Sequence, residues 1–294
     1  MPVNLGRMAQ IAESRGVAIH INEENFFSFA NSPYYAHERI SAVDVYPPRG
    51  ELEALSPVEG PVLFVKPLSS GKDYALTIKV GEGLCVKILH VKPRVKTGEK
   101  VRVGDYLGKI VWSPFYNFWT DRHMHVEVRP IADPLRARGG FELDVSPLLA
   151  KMRLESLQAS RGPRPFKVDL VKSEYALLKT PGGEAAFASP IAVKGGGFVG
   201  YVEGGLPHYG HGALVGTIGQ PAGALPFPEL GGRATVDYVR RGYVHFRCER
   251  RRIRVDGKEY KGLSVYINDR WLKLVPVKPG GVEVKEGDEL LLKL

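Results

Sequence analysis

The stretch Asp121-Arg122-His123-Met124-His125-Val126-Glu127-Val128 alternates in character. Met124, Val126 and Val128 fall on one side, and His123, His125 and Glu127 on the other. Period two with valine enrichment predicts a β-strand. Two imidazoles at i and i+2 then share one face, a single pleat repeat apart. That arrangement suits a metal ligand beside a second histidine that handles protons. It also suits a half-exposed strand that carries two histidines. Upstream, Asp44 lies inside an apolar, strand-like run. A carboxylate there is costly unless it is paired, hydrogen-bonded or bound to metal. The alternative is an Asp that caps a turn before Pro47 and Pro48. His90 closes the run Val86-Lys87-Ile88-Leu89 and, on its own, reads more readily as structural than catalytic.

The elements that must position these residues are short. Gly and Pro are plentiful, 34 and 22 in 294 residues, and Val-rich runs lie between them. The expected fold class is therefore mainly β. Residues 4–15 place Leu5, Met8, Ile11 and Ala12 on one side of a short amphipathic helix, with Asn4 as cap and Gly16 as stop. A strand over 17–21 follows, and residues 1–35 read as an N-terminal helix and strand extension. Strands over 74–80 and 83–91 come next. The pattern Val-x-x-Gly-x-x-Val-x-x-Gly-Asp-x-Leu-Gly then runs from Val95 to Gly108, with glycines supplying positive φ at tight turns. It is the grammar of small β-sandwich and barrel-sandwich domains. Residues 146–165 read as a helix over 146–160 and a Pro/Gly linker over 161–165. Residues 166–294 read as a second β-rich domain. Its ending, Val282 to Leu290, weakly echoes the turn pattern of Val101 to Leu107.

From Ala36 to Leu149 the chain resembles the lysostaphin-type zinc endopeptidases. The resemblance rests on four pieces in order. These are Asp44 before Pro47-Pro48-Arg49-Gly50, the turn and strand Ser56 to Phe64, His90 with the glycine-turn pattern behind it, and His123-Met124-His125 before Val126-Glu127-Val128. Asp133-Pro134-Leu135 also fits. The resemblance implies a small antiparallel β domain, over residues 36–145, with a narrow groove for a peptide substrate or a protein partner. It implies Zn2+ held by Asp44 and His125, with His90 and His123 as the catalytic pair that activates water and stabilises the reacting carbonyl. A catalytic zinc needs three protein ligands and one open position. The family places its first ligand four residues before the aspartate, and that position is Ile40 here. The nearest histidine, His37, is seven residues before Asp44. In an ideal strand an odd offset points to the opposite face. A bulge or short loop across Glu38 to Ser41 must therefore bring His37 round, with Glu38 as the substitute ligand. The function expected is hydrolysis of a peptide or amide bond. The alternative is an inactive descendant of the fold that binds a protein or ligand in the same groove.

Composition narrows the field. No run approaches the ~18 apolar residues of a membrane span, so no membrane partner is expected. The first ten residues hold no apolar signal core, and the expected location is cytoplasmic. Cys85 and Cys248 lie in apolar runs without metal-ligand spacing and read as buried free thiols. Three glutamines among abundant Lys, Arg and Glu hint at a thermophilic source. Charge is uneven. Residues 1–150 carry 18 Lys and Arg against 17 Asp and Glu, and residues 151–294 carry 23 against 15. The excess gathers at Arg240, Arg241, Arg247, Arg250, Arg251, Arg252 and Arg254. A surface of this kind binds polyanions weakly and in a salt-dependent way. A carrier or phosphotransfer domain is disfavoured, because no Met-Lys-Met-like turn is present and a phosphohistidine pair would not need Asp44.

Overall fold

The computed structural model describes residues 7–155, 157, 163–179, 186–195, 197–218 and 234–293. They form mainly β structure in several antiparallel sheets. The chain divides into two compact units, Met1–Phe27 with Tyr34–Leu148, and Ser28–Pro33 with Leu149–Leu294. Among the described residues no helix is long and apolar enough to cross a membrane.

The first unit begins with a hairpin, β1 (Met8–Ser14) and β2 (Val17–Asn22). Its two-residue turn, Arg15 and Gly16, has positive φ at both positions, as such turns require. The described part of the helix expected over 4–15 is thus strand. Ile11 is the extra residue of a bulge between Gln10 and Ala12. The bulge shifts the phase, so Ala9, Ile11 and Ala12 are all buried. Apolar residues at 8, 11 and 12 therefore imitate a helical period.

Next come β3 (Phe26–Ser28), a single helical turn α1 (Tyr35–Glu38), β4 (Val43–Tyr46) and β5 (Glu53–Leu55). Then follow β6 (Gly60–Leu68), β7 (Asp73–Gly81), β8 (Leu84–Leu89), β9 (Val91–Pro93), β10 (Lys100–Val101), β11 (Tyr106–Ile110) and β12 (Met124–Pro130). Seven strands form one sheet in the order β10-β6-β7-β8-β12-β4-β3, and β5-β11-β9 form another. β12 lies between β8 and β4 with both of its faces buried. Met124, Val126 and Val128 enter the core on one face, which leaves the histidine face to be satisfied by polar partners.

The glycine pattern builds a repeated turn. Lys96-Thr97-Gly98-Glu99 and Arg102-Val103-Gly104-Asp105 each close with a backbone bond from the fourth residue to the first, 3.0 and 3.1 Å. In each, the acidic side chain accepts from the first residue's N–H, at 2.9 and 2.7 Å. Lys285-Glu286-Gly287-Asp288 in the second unit does the same, at 3.1 and 2.8 Å. The glycines have φ of 87°, 86° and 92°, which only this residue adopts cheaply.

The helix expected over 146–160 is a single turn, α2 (Ser146–Leu149). Asp144 Oδ1 accepts from both the N–H and the hydroxyl of Ser146. Beyond it, Leu148, Met152 and Leu157 are buried one at a time on separate turns, not along one helical stripe. Residues 156 and 158–162, which include part of the expected linker, lie outside the described residues. Residues 163–165, also expected as linker, instead begin β13 (Pro163–Val171). Among the described residues only β23 pairs with that stretch, so the missing N–H groups of its prolines break no second described ladder.

The second unit adds β14 (Ala176–Lys179), β15 (Ala192–Gly195), β16 (Phe198–Leu206), β17 (His211–Ile218), β18 (Thr235–Arg240) and β19 (Tyr243–Arg247). It ends with β20 (Ile253–Val255), β21 (Lys258–Val265), β22 (Trp271–Pro276) and β23 (Glu289–Lys293). Among the described residues these strands form one large antiparallel sheet over a core that includes Phe166, Leu178, Val202, Leu214, Phe246 and Leu274. Residues 28–33 belong to this unit, where His211 Nε2 donates to Ser32 O at 3.0 Å and a second anchor is Glu203. Its buried carboxylate accepts from the Ser28 hydroxyl and from the backbone N–H groups of Phe29 (3.1 Å) and Ala30 (3.2 Å). Glu203→Ala leaves those donors without their acceptor and should cost about 3 kcal/mol. A thermal melt checks this, and an unchanged Tm would show that the segment holds without the carboxylate.

Candidate metal centre

The site grows from the register of β12. His125 lies directly opposite Asp44 on β4, and Glu127 lies opposite Lys87 on β8. His125, Glu127 and Arg129 follow one another at period two, so one strand face carries an imidazole, a carboxylate and a guanidinium in line. His123 immediately precedes the strand, and His90 immediately follows β8 with a φ of 69°.

His37 arrives by a different route from the one a strand allows. It sits on α1, not on an extension of β4, so the parity of a seven-residue offset does not apply. The turn closes through Ser41, whose N–H donates to Ala36 O at 2.8 Å, while Ile40 adopts a φ of 46°. The irregular backbone required across Glu38 to Ser41 is thus a helical turn with a left-handed exit. The side chain of His37 is fully buried.

Three ligand-capable atoms converge. His37 Nε2 lies 3.3 Å from His125 Nδ1 and 3.3 Å from Asp44 Oδ1, and His125 Nδ1 lies 2.7 Å from Asp44 Oδ1. Atoms bound at zinc distances and tetrahedral angles lie about 3.3 Å apart, so two imidazoles and a carboxylate in this arrangement fit that ion. Among the described residues this trio is the group of His, Cys, Asp and Glu able to hold a metal, and Glu38 is not part of it.

Around the trio sits a shell of buried hydrogen bonds. Glu127 Oε1 accepts from His125 Nε2 at 2.8 Å and from Lys87 Nζ at 2.6 Å. Arg129 Nη1 donates to Glu127 Oε2 at 2.5 Å, and its Nη2 donates to Arg138 O at 2.7 Å. Fixing the second nitrogen of a ligand histidine on a carboxylate sets its tautomer and orientation. The flanking histidines are held too. His90 Nδ1 donates to Asp73 Oδ2 at 2.8 Å, and the Ser113 hydroxyl donates to the same oxygen at 2.7 Å. His123 Nδ1 donates to Asp121 O at 3.0 Å, which turns Nε2 toward Asp44 Oδ2, 3.4 Å away. The ring centroids of His90 and His123 are 5.3 Å apart, and the Tyr116 ring stacks on His123 at 4.6 Å. The structure therefore gathers His37, Asp44, His90, His123 and His125 in one place. Sequence reasoning missed Asp73, Lys87 and Arg129. Lys87 carried a usable signal, because a lysine inside Val86-Lys87-Ile88-Leu89 demands a buried counterion.

Electrostatics separate the two strand histidines. Burial opposes ionisation of Asp44, but His123, His37 and hydrogen bonds from His125 and His37 hold its pKa well below the usual carboxylate range. Burial also disfavours imidazolium at His125, yet the carboxylates on both of its nitrogens raise its pKa to about 9. Burial lowers His123 to about 4, so it is neutral with Nδ1 protonated and a lone pair on Nε2. Burial works against the charge of Glu127 as well, but His125 and Lys87 bring its pKa down to about 2.

Residues 17–145 match a family described as a domain of unknown function (DUF8155), N-terminal domain. No curated protein matches the chain. A solved structure titled the SpoIIQ–SpoIIIAH pore forming complex matches at 19% identity with a TM-score of 0.23. That match covers 35% of this chain and 54% of the other, a little over half of its length.

Two outcomes follow from the shell. Glu127→Gln should weaken zinc binding about 10- to 100-fold, because His125 loses its anchoring carboxylate. It should also lower stability by about 3–5 kcal/mol, because Lys87 and Arg129 lose a buried counterion. Zinc titration and thermal melts read the two effects separately. Proton release gives an independent check. A metal at His125 Nδ1 displaces the proton that His125 holds up to about pH 9. Calorimetry in buffers of different ionisation enthalpy should find about one proton released per zinc at pH 7, fading as pH rises through about 9. The same group contributes stability to chelated protein that is full below its ordinary pKa of 6.5 and lost as pH rises through about 9.

Proposed function

We propose that the first unit is a zinc-dependent hydrolase of peptide or amide bonds. The observation that carries this reading is the convergence of His37 Nε2, Asp44 Oδ1 and His125 Nδ1 beside two further histidines, each with one nitrogen already engaged. The resemblance to lysostaphin-type endopeptidases agrees with it. Zinc held by His37, Asp44 and His125 would lower the pKa of a water and polarise a substrate carbonyl.

The chain's own groups divide the remaining work. His123, neutral with its proton on Nδ1, offers Nε2 to take a proton from the attacking water. His90 donates its Nδ1 proton to Asp73, which leaves its Nε2 for the substrate. A proton carried on that Nε2 would support the developing oxyanion or pass to the leaving amine. Ser113 fixes the same oxygen of Asp73 and so keeps the His90 ring oriented. Exposed Tyr34, Tyr35, Trp112 and Phe115 give the unit apolar surface for an extended peptide chain. Tyr34 donates to Phe115 O at 2.8 Å, which ties the first turn of the α1 region to the aromatic loop. The two free cysteines fit a reducing, cytoplasmic setting.

Single substitutions separate the roles. Asp44→Ala, His125→Ala and His37→Ala should each abolish stoichiometric zinc. His123→Ala and His90→Ala should keep zinc and lose about 10²-fold or more of any hydrolysis. The assay is zinc content by mass spectrometry beside cleavage of a mixed peptide pool. Full zinc occupancy in His37→Ala removes His37 from the ligand set. A zinc-loaded wild type that cleaves nothing in the pool leaves a binding module in place of an enzyme.

A further inference from the structure

The second unit holds an open pocket of about 340 Å³ lined by His208, Lys261, Val277 and three exposed arginines, Arg250, Arg251 and Arg252. Four of the six side chains are cationic, and none is acidic. We propose that this cavity is a binding site for the phosphate group of a small phosphorylated molecule.

The backbone is arranged to bring these groups together. His208 and Tyr209 lie in the turn between β16 and β17, and Arg250 to Arg252 lie in the segment between β19 and β20. Cys248 N–H donates to Gly210 O at 2.9 Å, and Arg250 Nε donates to Tyr209 O at 3.0 Å. Those two bonds tie the arginine segment to the turn. Gly210 leaves the room that Arg250 occupies, since a Cβ there would meet its Cγ and Nε at 2.9 Å. Gly205 and Gly262 do the same for His208, whose ring nitrogens a Cβ at either position would approach to 2.7 Å. Lys261 is the extra residue of a bulge between Tyr260 and Gly262 on β21. Bulges re-aim side chains and recur beside binding sites.

Like charges held this close repel one another. Burial lowers the Lys261 pKa, and Arg252 lowers it further. Burial brings His208 down to about 3, with Lys261 the next cause. An anion in the cavity relieves that repulsion, and guanidinium forks match phosphate oxygens in a bidentate way. Arg252 also pairs with Glu259 at 2.9 Å on its exposed side, so its charge is shared. Two other arginines of the run are engaged elsewhere. Arg247 pairs with Asp237 at 3.2 Å, and Arg240 lies over the Tyr238 ring at 5.0 Å. Only residues 250–252 of the run line the cavity. A concave volume near the ~300 Å³ floor of small-molecule sites suits one phosphoryl group with a small organic part. A nucleic acid strand needs an extended basic track with stacking aromatics, and no Phe, Tyr or Trp lines this cavity.

The test is calorimetric titration of the full chain at constant ionic strength. The probes are inorganic phosphate, glucose 6-phosphate and a single-stranded oligonucleotide. Saturable 1:1 binding of phosphate or the sugar phosphate is expected, tighter for the sugar phosphate. Arg251→Ala and Lys261→Ala should each weaken it about tenfold or more. Arg254→Ala, in the same run but outside the cavity, should leave it unchanged, and melting curves confirm that all three variants fold. Absence of saturable binding of either small probe up to about 10 mM overturns the proposal. So does oligonucleotide binding that neither small probe displaces and that Arg254→Ala weakens as much as Arg251→Ala.

Discussion

His125 is clasped between two buried carboxylates, Asp44 on one ring nitrogen and Glu127 on the other. That contact constrains much of the first unit. Buried carboxylates are costly unless compensated, and each has its own set of partners. Asp44 is compensated by His37 and His125, whose ring nitrogens lie 3.3 and 2.7 Å from its Oδ1. Glu127 is compensated by Lys87 and Arg129, which are themselves buried and depend on Glu127 in return. The network crosses from β4 through β12 to β8, so strand register and side-chain chemistry fix each other. A one-residue slip of β12 would send the histidine, the carboxylate and the guanidinium into the apolar core. The candidate metal ligands and the residues that fix the strand register therefore belong to one network.

Much of this was legible in the sequence where a strand obeys its period. The alternation of His123, His125 and Glu127 against Met124, Val126 and Val128 placed three polar groups on one face, and β12 carries His125 and Glu127 so, with His123 just before the strand. Asp44 stood out because an apolar run does not tolerate an idle carboxylate. The repeated x-x-Gly-acid turn was visible in both halves, and its hydrogen bonds are the same in all three copies. What escaped has physical causes. The rule that put His37 on the wrong face holds only along a strand, and α1 breaks the strand before it reaches that residue. The bulge at Ile11 gave a strand the spacing of a helix. The prolines at 163 and 165 read as punctuation, yet among the described residues only β23 pairs with that end of β13, so their missing donors are tolerated. Asp73 and Lys87 are distant in sequence from the histidines they serve, and only the pairing of β7, β8 and β12 brings them near.

The two units use basic and acidic groups in opposite ways. In the first, every buried charge at the site meets an opposite one, and the trio is left with geometry suited to a cation. In the second, the cavity gathers positive charge without an acidic lining residue. The uneven charge of the chain thus has a structural counterpart. The neutral half encloses its charges in pairs, and the basic half concentrates part of its excess in one concave place.

X-ray absorption at the zinc edge, on protein loaded with one equivalent of zinc, tests the central claim most directly. Zinc bound by His37, Asp44 and His125 with one open position predicts a four-coordinate spectrum. It should hold nitrogen and oxygen scatterers at about 2.0–2.1 Å and the outer-shell signature of two imidazoles. Sulfur scattering at about 2.3 Å would place the metal on a cysteine and contradict the account. So would a spectrum with one imidazole or none.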